Sequence, residues 1–176
     1  QAAKGIGCDV MGVCGKKPDV AALQDNLLYG LKGLAFFADK ARGLGAKDPA
    51  VDLFLIQGLF ATVTNVDFDP ARLEETIKGC FEMKETAKAL YEDAFTKANG
   101  IKARQFPDGP AAWAPASDLV KQGEKHGIPA LHENEDIRSA IEILIYGLKG
   151  MAAYADHCHI LGKEDEEVNA FFHKAL

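Results

Sequence analysis

Two cysteines near the start, Cys8 and Cys14, carry the most chemically informative pattern in the chain. They lie in Gly5-Ile6-Gly7-Cys8-Asp9-Val10-Met11-Gly12-Val13-Cys14-Gly15, with five residues between them and four glycines around them. Glycine lets a backbone wrap closely around a bound group and aim amide N–H groups at it, as thiolate-ligated iron–sulfur clusters require. Lys4, Lys16 and Lys17 add positive charge, which helps to hold thiolates ionised. Two thiolates are half of the usual four-ligand set. The residues themselves leave three readings open: a metal or cluster site, one disulfide, or two ordinary thiols in a glycine-rich tail.

The other candidate groups read as packing or surface. Cys80 falls on the apolar seam of a helix, and Cys158 aligns through an internal repeat with Ala41, so both are expected to pack as small core residues. His157-Cys158-His159 resembles a metal tract, but residues i and i+2 of a helix point to different faces. Asp156 and His159 do share a face, yet a carboxylate-bridged di-iron bundle needs Glu-x-x-His twice, and that motif is absent. Tyr29-Gly30-Leu31-Lys32-Gly33 lacks the length and spacing of a phosphate loop; its glycines suit close helix packing. The acidic run Glu164 to Glu167 fits the solvent side of a helix N-terminus.

These groups sit in a chain of 176 residues, 48% hydrophobic and 26% charged, which is globular composition and excludes a disordered protein. The longest apolar run, Leu27 to Ala38, is interrupted by Lys32 and is shorter than the ~20 residues a membrane helix needs. A net charge of −6 argues against a broad nucleic-acid surface. The charge is uneven: residues 1–47 hold seven basic side chains against four acidic ones. The chain opens on Gln1 without a signal-peptide pattern.

An internal repeat organises the rest. Tyr29-Gly30-Leu31-Lys32-Gly33 recurs as Tyr146-Gly147-Leu148-Lys149-Gly150, an offset of 117 that also pairs Leu44-Gly45 with Leu161-Gly162 and Asp48 with Asp165. Leu27, Leu31, Leu34, Ala38 and Ala41 form one helical stripe within 19–43. Asp48-Pro49 opens a second helix expected to reach about Asn65, and Asp69-Pro70 opens a third with a seam of Leu73, Ile77, Cys80, Met83, Ala87, Leu90 and Ala94. A short helix is expected over Ser117–His126, and Asn134 caps the helix of the second copy. The expected fold is all-α: a three-helix bundle over 18–100, a Pro-rich connection over 101–117 and an incomplete second bundle over 118–176, preceded by the cysteine loop of 1–17. The second copy stops within its second helix, so the chain reads as a piece of a longer protein.

Several separated motifs together resemble the hybrid-cluster protein family, also called prismane proteins or hydroxylamine reductases. They are Ala3-Lys4-Gly5-Ile6-Gly7-Cys8, Gly12-Val13-Cys14-Gly15-Lys16, Leu23-Gln24-Asp25, Gln57-Gly58-Leu59-Phe60-Ala61-Thr62, Glu133-Asn134-Glu135-Asp136 and both Gly-Leu-Lys-Gly copies. The resemblance implies that Cys8 and Cys14 are the third and fourth ligands of a 4Fe–4S cubane, whose first Cys-x-x-Cys pair would precede Gln1. It further implies a hybrid iron–sulfur–oxygen cluster held by later domains, so no catalytic residue is expected here. The implied activity is reduction of hydroxylamine to ammonia and water in the cytoplasm, fed by a redox partner. A nickel carbon-monoxide dehydrogenase fragment and a metal-free helical interaction module are the alternatives.

Overall fold

Local capping chemistry decides where the chain becomes helical. Asp48, Asp69, Asn134 and Asp165 hold extended backbone conformations and accept first-turn N–H bonds, and proline follows Asp48 and Asp69 at once. A computed structural model describes residues 14–176. Its α-helices are α1 (Pro18–Arg42), α2 (Pro49–Ala61), α3 (Pro70–Asn99), α4 (Gly109–Ala112), α5 (Leu119–Gly123), α6 (Glu135–Ile160) and α7 (Glu166–Ala175). No strand occurs among the described residues, in agreement with the all-α expectation.

Two helices end earlier than their periodicity suggests. The backbone tightens after Ala61 into i→i+3 turns, where Thr62 bonds the Leu59 carbonyl through both its N–H and its hydroxyl. Asn65 then takes a left-handed conformation, which ends any helical continuation. The expected Ser117–His126 helix is only α5, capped by Asp118. Its Gly123 lies so close to the α1 backbone that an added Cβ would sit 1.9 Å from the Ala22 carbonyl oxygen.

Helix α1 is the centre of the molecule. It packs against α2, α3, α4, α5 and α7, and most of its apolar residues from Val20 to Ala41 are buried, while a stripe through Asp25, Tyr29, Lys32, Phe36 and Asp39 stays partly or fully exposed. The α3 side facing it is Leu73, Ile77, Cys80, Lys84, Ala87 and Tyr91, so the seam runs through Lys84 and Tyr91 rather than Met83 and Leu90. A lysine is tolerated there because its Nζ donates to the carbonyls of Ala111 and Trp113, at 3.1 and 2.5 Å. Those bonds tie the Pro-rich connection down onto the bundle. The second copy docks reciprocally: α7 packs on α1, and α6 packs on α2. Each copy thus sets its first helix against the second helix of the other.

The repeated glycines meet different fates. An added Cβ at Gly30 would lie 2.7 Å from the Trp113 ring, and at Gly33 it would lie 2.2 Å from the Pro110 carbonyl oxygen. At Gly147 and Gly150 it would meet nothing within 4 Å. Gly33→Ala therefore costs stability, roughly 1–3 kcal/mol from forced displacement of the connection. Gly150→Ala in the 176-residue chain is neutral or stabilising by up to about 1 kcal/mol, through helix propensity. Paired urea melts check this; equal effects at the two sites would contradict the packing described.

Candidate functional site

Cys14 sits exposed on the turn that leads into α1. Gly15 follows in a left-handed conformation, φ +91°, in open space that only glycine occupies without strain. Lys16 and Lys17 come next, then Pro18 at the first position of a 25-residue helix. The positive end of the helix dipole and two lysines thus follow the thiol closely in the chain, a setting suited to a group of net negative charge. Lys16 is anchored above the Phe68 ring, 5.7 Å from its centroid. The other expected ligand, Cys8, lies outside the described residues. No group of three or more His, Cys, Asp or Glu placed to hold a metal occurs among the described residues.

The remaining cysteines divide. Cys80 is buried against the α1 backbone near Gly30, and burial pushes its thiol up to about 12, with Lys84 opposing weakly. It packs as expected. Cys158 does not: it is exposed, although its repeat partner Ala41 is fully buried. The repeat carries sequence but not surroundings, and the face of α6 that bears Cys158 has no counterpart of α3 among the described residues. His157 is exposed and meets the edge of Phe60, and His159 Nδ1 lies 2.6 Å from Glu164 Oε1, so the His-Cys-His tract reaches the surface in divergent directions.

The Prismane/CO dehydrogenase family matches residues 2–176. The chain belongs to this family. It is 67% identical to a hydroxylamine reductase of Geobacter sulfurreducens and 64% identical to one of Geobacter metallireducens, in each case over its whole length. A hydroxylamine reductase of Halothermothrix orenii is 43% identical over the same extent. The chain spans about a third of the length of these curated relatives. Membership in the Prismane/CO dehydrogenase family implies iron–sulfur cofactors for the longer protein. The one described candidate ligand fits that chemistry: Cys14 is a free, accessible thiol, the donor type iron–sulfur clusters take. No described helix is long and apolar enough to cross a membrane.

In this family member the two repeat copies are joined by a polar cluster that no local motif announces. Arg42, at the end of α1, donates to both Asp52 of α2 and Glu166 of α7. Lys47 Nζ approaches Glu166 at 2.9 Å, and His173 of α7 meets Asp52 Oδ1 at 2.7 Å with its side chain fully buried. Near the C-terminal end of α6, Asp156 accepts from Gln57 of α2 at 3.1 Å. The 164–167 run is exposed at the start of α7, as the sequence suggested, and Glu166 within it also meets Arg42. Burial alone would raise the Asp52 carboxyl, but the bonds from His173 and Arg42 outweigh it and hold it below the usual carboxylate range.

A depressed carboxyl stabilises the fold above its unfolded pKa of about 4 and loses that contribution as pH falls through its folded value. Asp52→Ala leaves Arg42 and His173 buried without their shared partner, at a cost of about 3–5 kcal/mol at neutral pH. The deficit relative to the parent shrinks below about pH 4, as the parent carboxylate is protonated. Chemical denaturation at a series of pH values reads both effects. A deficit independent of pH would refute the assignment of the ion pair as its cause.

Proposed function

We propose that this chain is the electron-entry and scaffold part of an iron–sulfur oxidoreductase that reduces hydroxylamine to ammonia and water. The observation that carries the reading is 67% identity, across the whole chain, to a protein named hydroxylamine reductase. That name also favours this reading over a carbon-monoxide-dehydrogenase fragment, and the family match favours it over a metal-free interaction module.

In this reading Cys8 and Cys14 supply two of four thiolates to a 4Fe–4S cluster, whose chemistry when bound is to accept and release one electron. Gly15 turns the chain so that the Cys14 thiol faces outward ahead of α1, and Lys16 and Lys17 offset negative charge at that point. The accessible position suits docking of a redox partner as electron donor. Reduction of hydroxylamine itself belongs to a hybrid iron–sulfur–oxygen cluster carried by the rest of the longer protein. Three free cysteines among the described residues agree with a reducing, cytoplasmic setting.

Residues 18–100 form the first bundle and 118–176 contribute two helices to a second, with 101–117 as the strap between them. The third helix of that second bundle would cover Gly147, Gly150, Tyr154 and Cys158, as α3 and the connection cover the matching residues of α1. Tyr154, 77% exposed, and the open space over both glycines support this division.

Anaerobic reconstitution of the full-length protein tests the cluster reading. Cys14→Ala is expected to lose one cubane's complement of iron and sulfide and to slow hydroxylamine reduction by an external donor. Cys80→Ala should keep full iron content at a stability cost of about 1 kcal/mol, the scale of a small core truncation. Unchanged iron in Cys14→Ala would remove the thiol from the ligand set.

A further inference from the structure

One face of α1 is covered by a single downstream strap, residues 110–126. Asn26 anchors that strap, donating to the Leu119 carbonyl and to Gln122 and accepting from the Trp113 indole. Tyr29, one turn on, stacks its ring on His126 with the centroids 3.7 Å apart. Gly30 and Gly33 let Trp113 and Pro110 approach the helix closely. Beside this face, Gln24 donates to the Asp67 carbonyl. Side-chain amides of α1 thus hold both the strap and the turn between α2 and α3.

The offset of 117 carries this face onto α6 as Ile143, Tyr146, Gly147 and Gly150, and all four are exposed. Ile143 is 74% exposed and Tyr146 66%, both large apolar side chains in the interior of a 26-residue helix. They line a groove of about 610 Å³ together with Ser139 of the same helix and Ile128 and Pro129 of the preceding segment. Ile137 and Leu144 extend the apolar exposure along α6. Apolar side chains grouped at a concave surface mark an interaction site rather than a solvent face.

The differences between the copies say how that contact is made. Gln24 corresponds to Ile141 and Asn26 to Ile143, so isoleucine replaces both amides that hold covering segments on α1. A strap of the first kind laid on α6 would bury its polar groups without their partners, which is costly. The aromatic position is kept: Tyr146 stands where Tyr29 stacks, and its ring is exposed. What fits this groove is an apolar segment with a flat side chain for Tyr146 and hydrocarbon for Ile143.

The source of that segment follows from chain order. The strap on α1 follows the third helix of its own bundle, and the same order puts the cover of α6 beyond Leu176. The chain spans about a third of the length of its curated relatives, so the longer protein has ample chain to supply it. We propose that a segment of the longer protein beyond Leu176 lies in the groove over Ile143 and Tyr146. It is held by apolar side-chain packing and not by the amide hydrogen bonds that hold the strap on α1. The proposal rests on the two-bundle division stated above and adds a second contact to it. The third helix covers Tyr154 and Cys158, and this segment takes the face that α5 and His126 take on α1.

The experiment introduces Tyr146→p-benzoylphenylalanine, a photo-crosslinking side chain, into the full-length protein. After irradiation and digestion, mass spectrometry is expected to find this position joined to a peptide from beyond Leu176 of the same chain. A crosslink to a second copy, seen as a doubled mass, overturns the proposal, as does one within residues 1–176 or none at all. The same probe at Tyr154 tests the third helix. A crosslink there with none at Tyr146 leaves the two-bundle division standing and removes this contact alone. Two further variants of the full-length protein, Ile143→Ala and Ile143→Asn, read the kind of contact, and both are expected to lower the melting temperature. On a bare helix face Ile143→Ala would raise it, because alanine is the better helix former. Under a strap of the first kind Ile143→Asn would raise it by restoring the amide. A rise in either variant, or no change in both, overturns the proposal.

Discussion

Burial of most of α1 under five other helices is the constraint to which the other elements answer. A helix in that position cannot leave polar groups unmatched, and α1 carries Gln24 and Asn26 at buried positions. Gln24 donates to the Asp67 carbonyl at 2.9 Å. Asn26 donates to the Leu119 carbonyl at 3.0 Å and to Gln122 at 3.1 Å, and accepts from the Trp113 indole at 3.0 Å. These bonds fix the α2–α3 turn, α5 and the connection against one helix. The glycines of α1 then permit the approach, since Trp113 and Pro110 occupy the space their side chains would fill.

The second copy of the motif shows what sequence alone does not determine. Helix α6 repeats the Tyr-Gly-Leu-Lys-Gly signature, yet among the described residues it buries only Ile145, Leu148, Ala152 and Asp156. Leu148 and Ala152 match Leu31 and Ala35, which are buried in both copies. The helix pairing across the copies is reciprocal, but the polar contacts are not. The offset places His159, Asn169, Pro49 and Ile56 against Arg42, Asp52, Glu166 and His173, so the second version of that cluster cannot form. Duplication explains the scaffold, and divergence has left one locked contact in place of two.

What was legible in the sequence was local. The caps at Asp48, Asp69, Asn134 and Asp165 act within one turn, so their residue types announced four helix starts. The Cys8–Cys14 spacing suggested thiolate chemistry, and the described part of that loop leaves Cys14 free and accessible. What was missed depends on partners far along the chain. The seam assigned to α3 passed over Lys84, because nothing in its own helix shows that the carbonyls of Ala111 and Trp113 wait opposite it. Cys158 looked buried because alignment with Ala41 transmits residue identity but not the third helix. The Asp25–Glu142 correspondence was present in the repeat, hidden by the difference between aspartate and glutamate.

Arg42–Asp52–His173 and Asp25–Lys32–Glu142–Lys149 are built from similar ingredients and reach opposite outcomes. In both, a carboxyl leaves bulk water near cations contributed by both repeat copies. At Asp52 two donors reach the oxygens directly, and the carboxyl is held low. At Asp25 the cations stand off, burial dominates, and the carboxyl is held high. Charge count does not separate the two sites, since cations face a carboxylate in each. Direct hydrogen bonding does: it stabilises the ionised form at contact range, whereas unbonded cations only temper the desolvation penalty. A site whose charges are locked in pairs serves to hold two helices together.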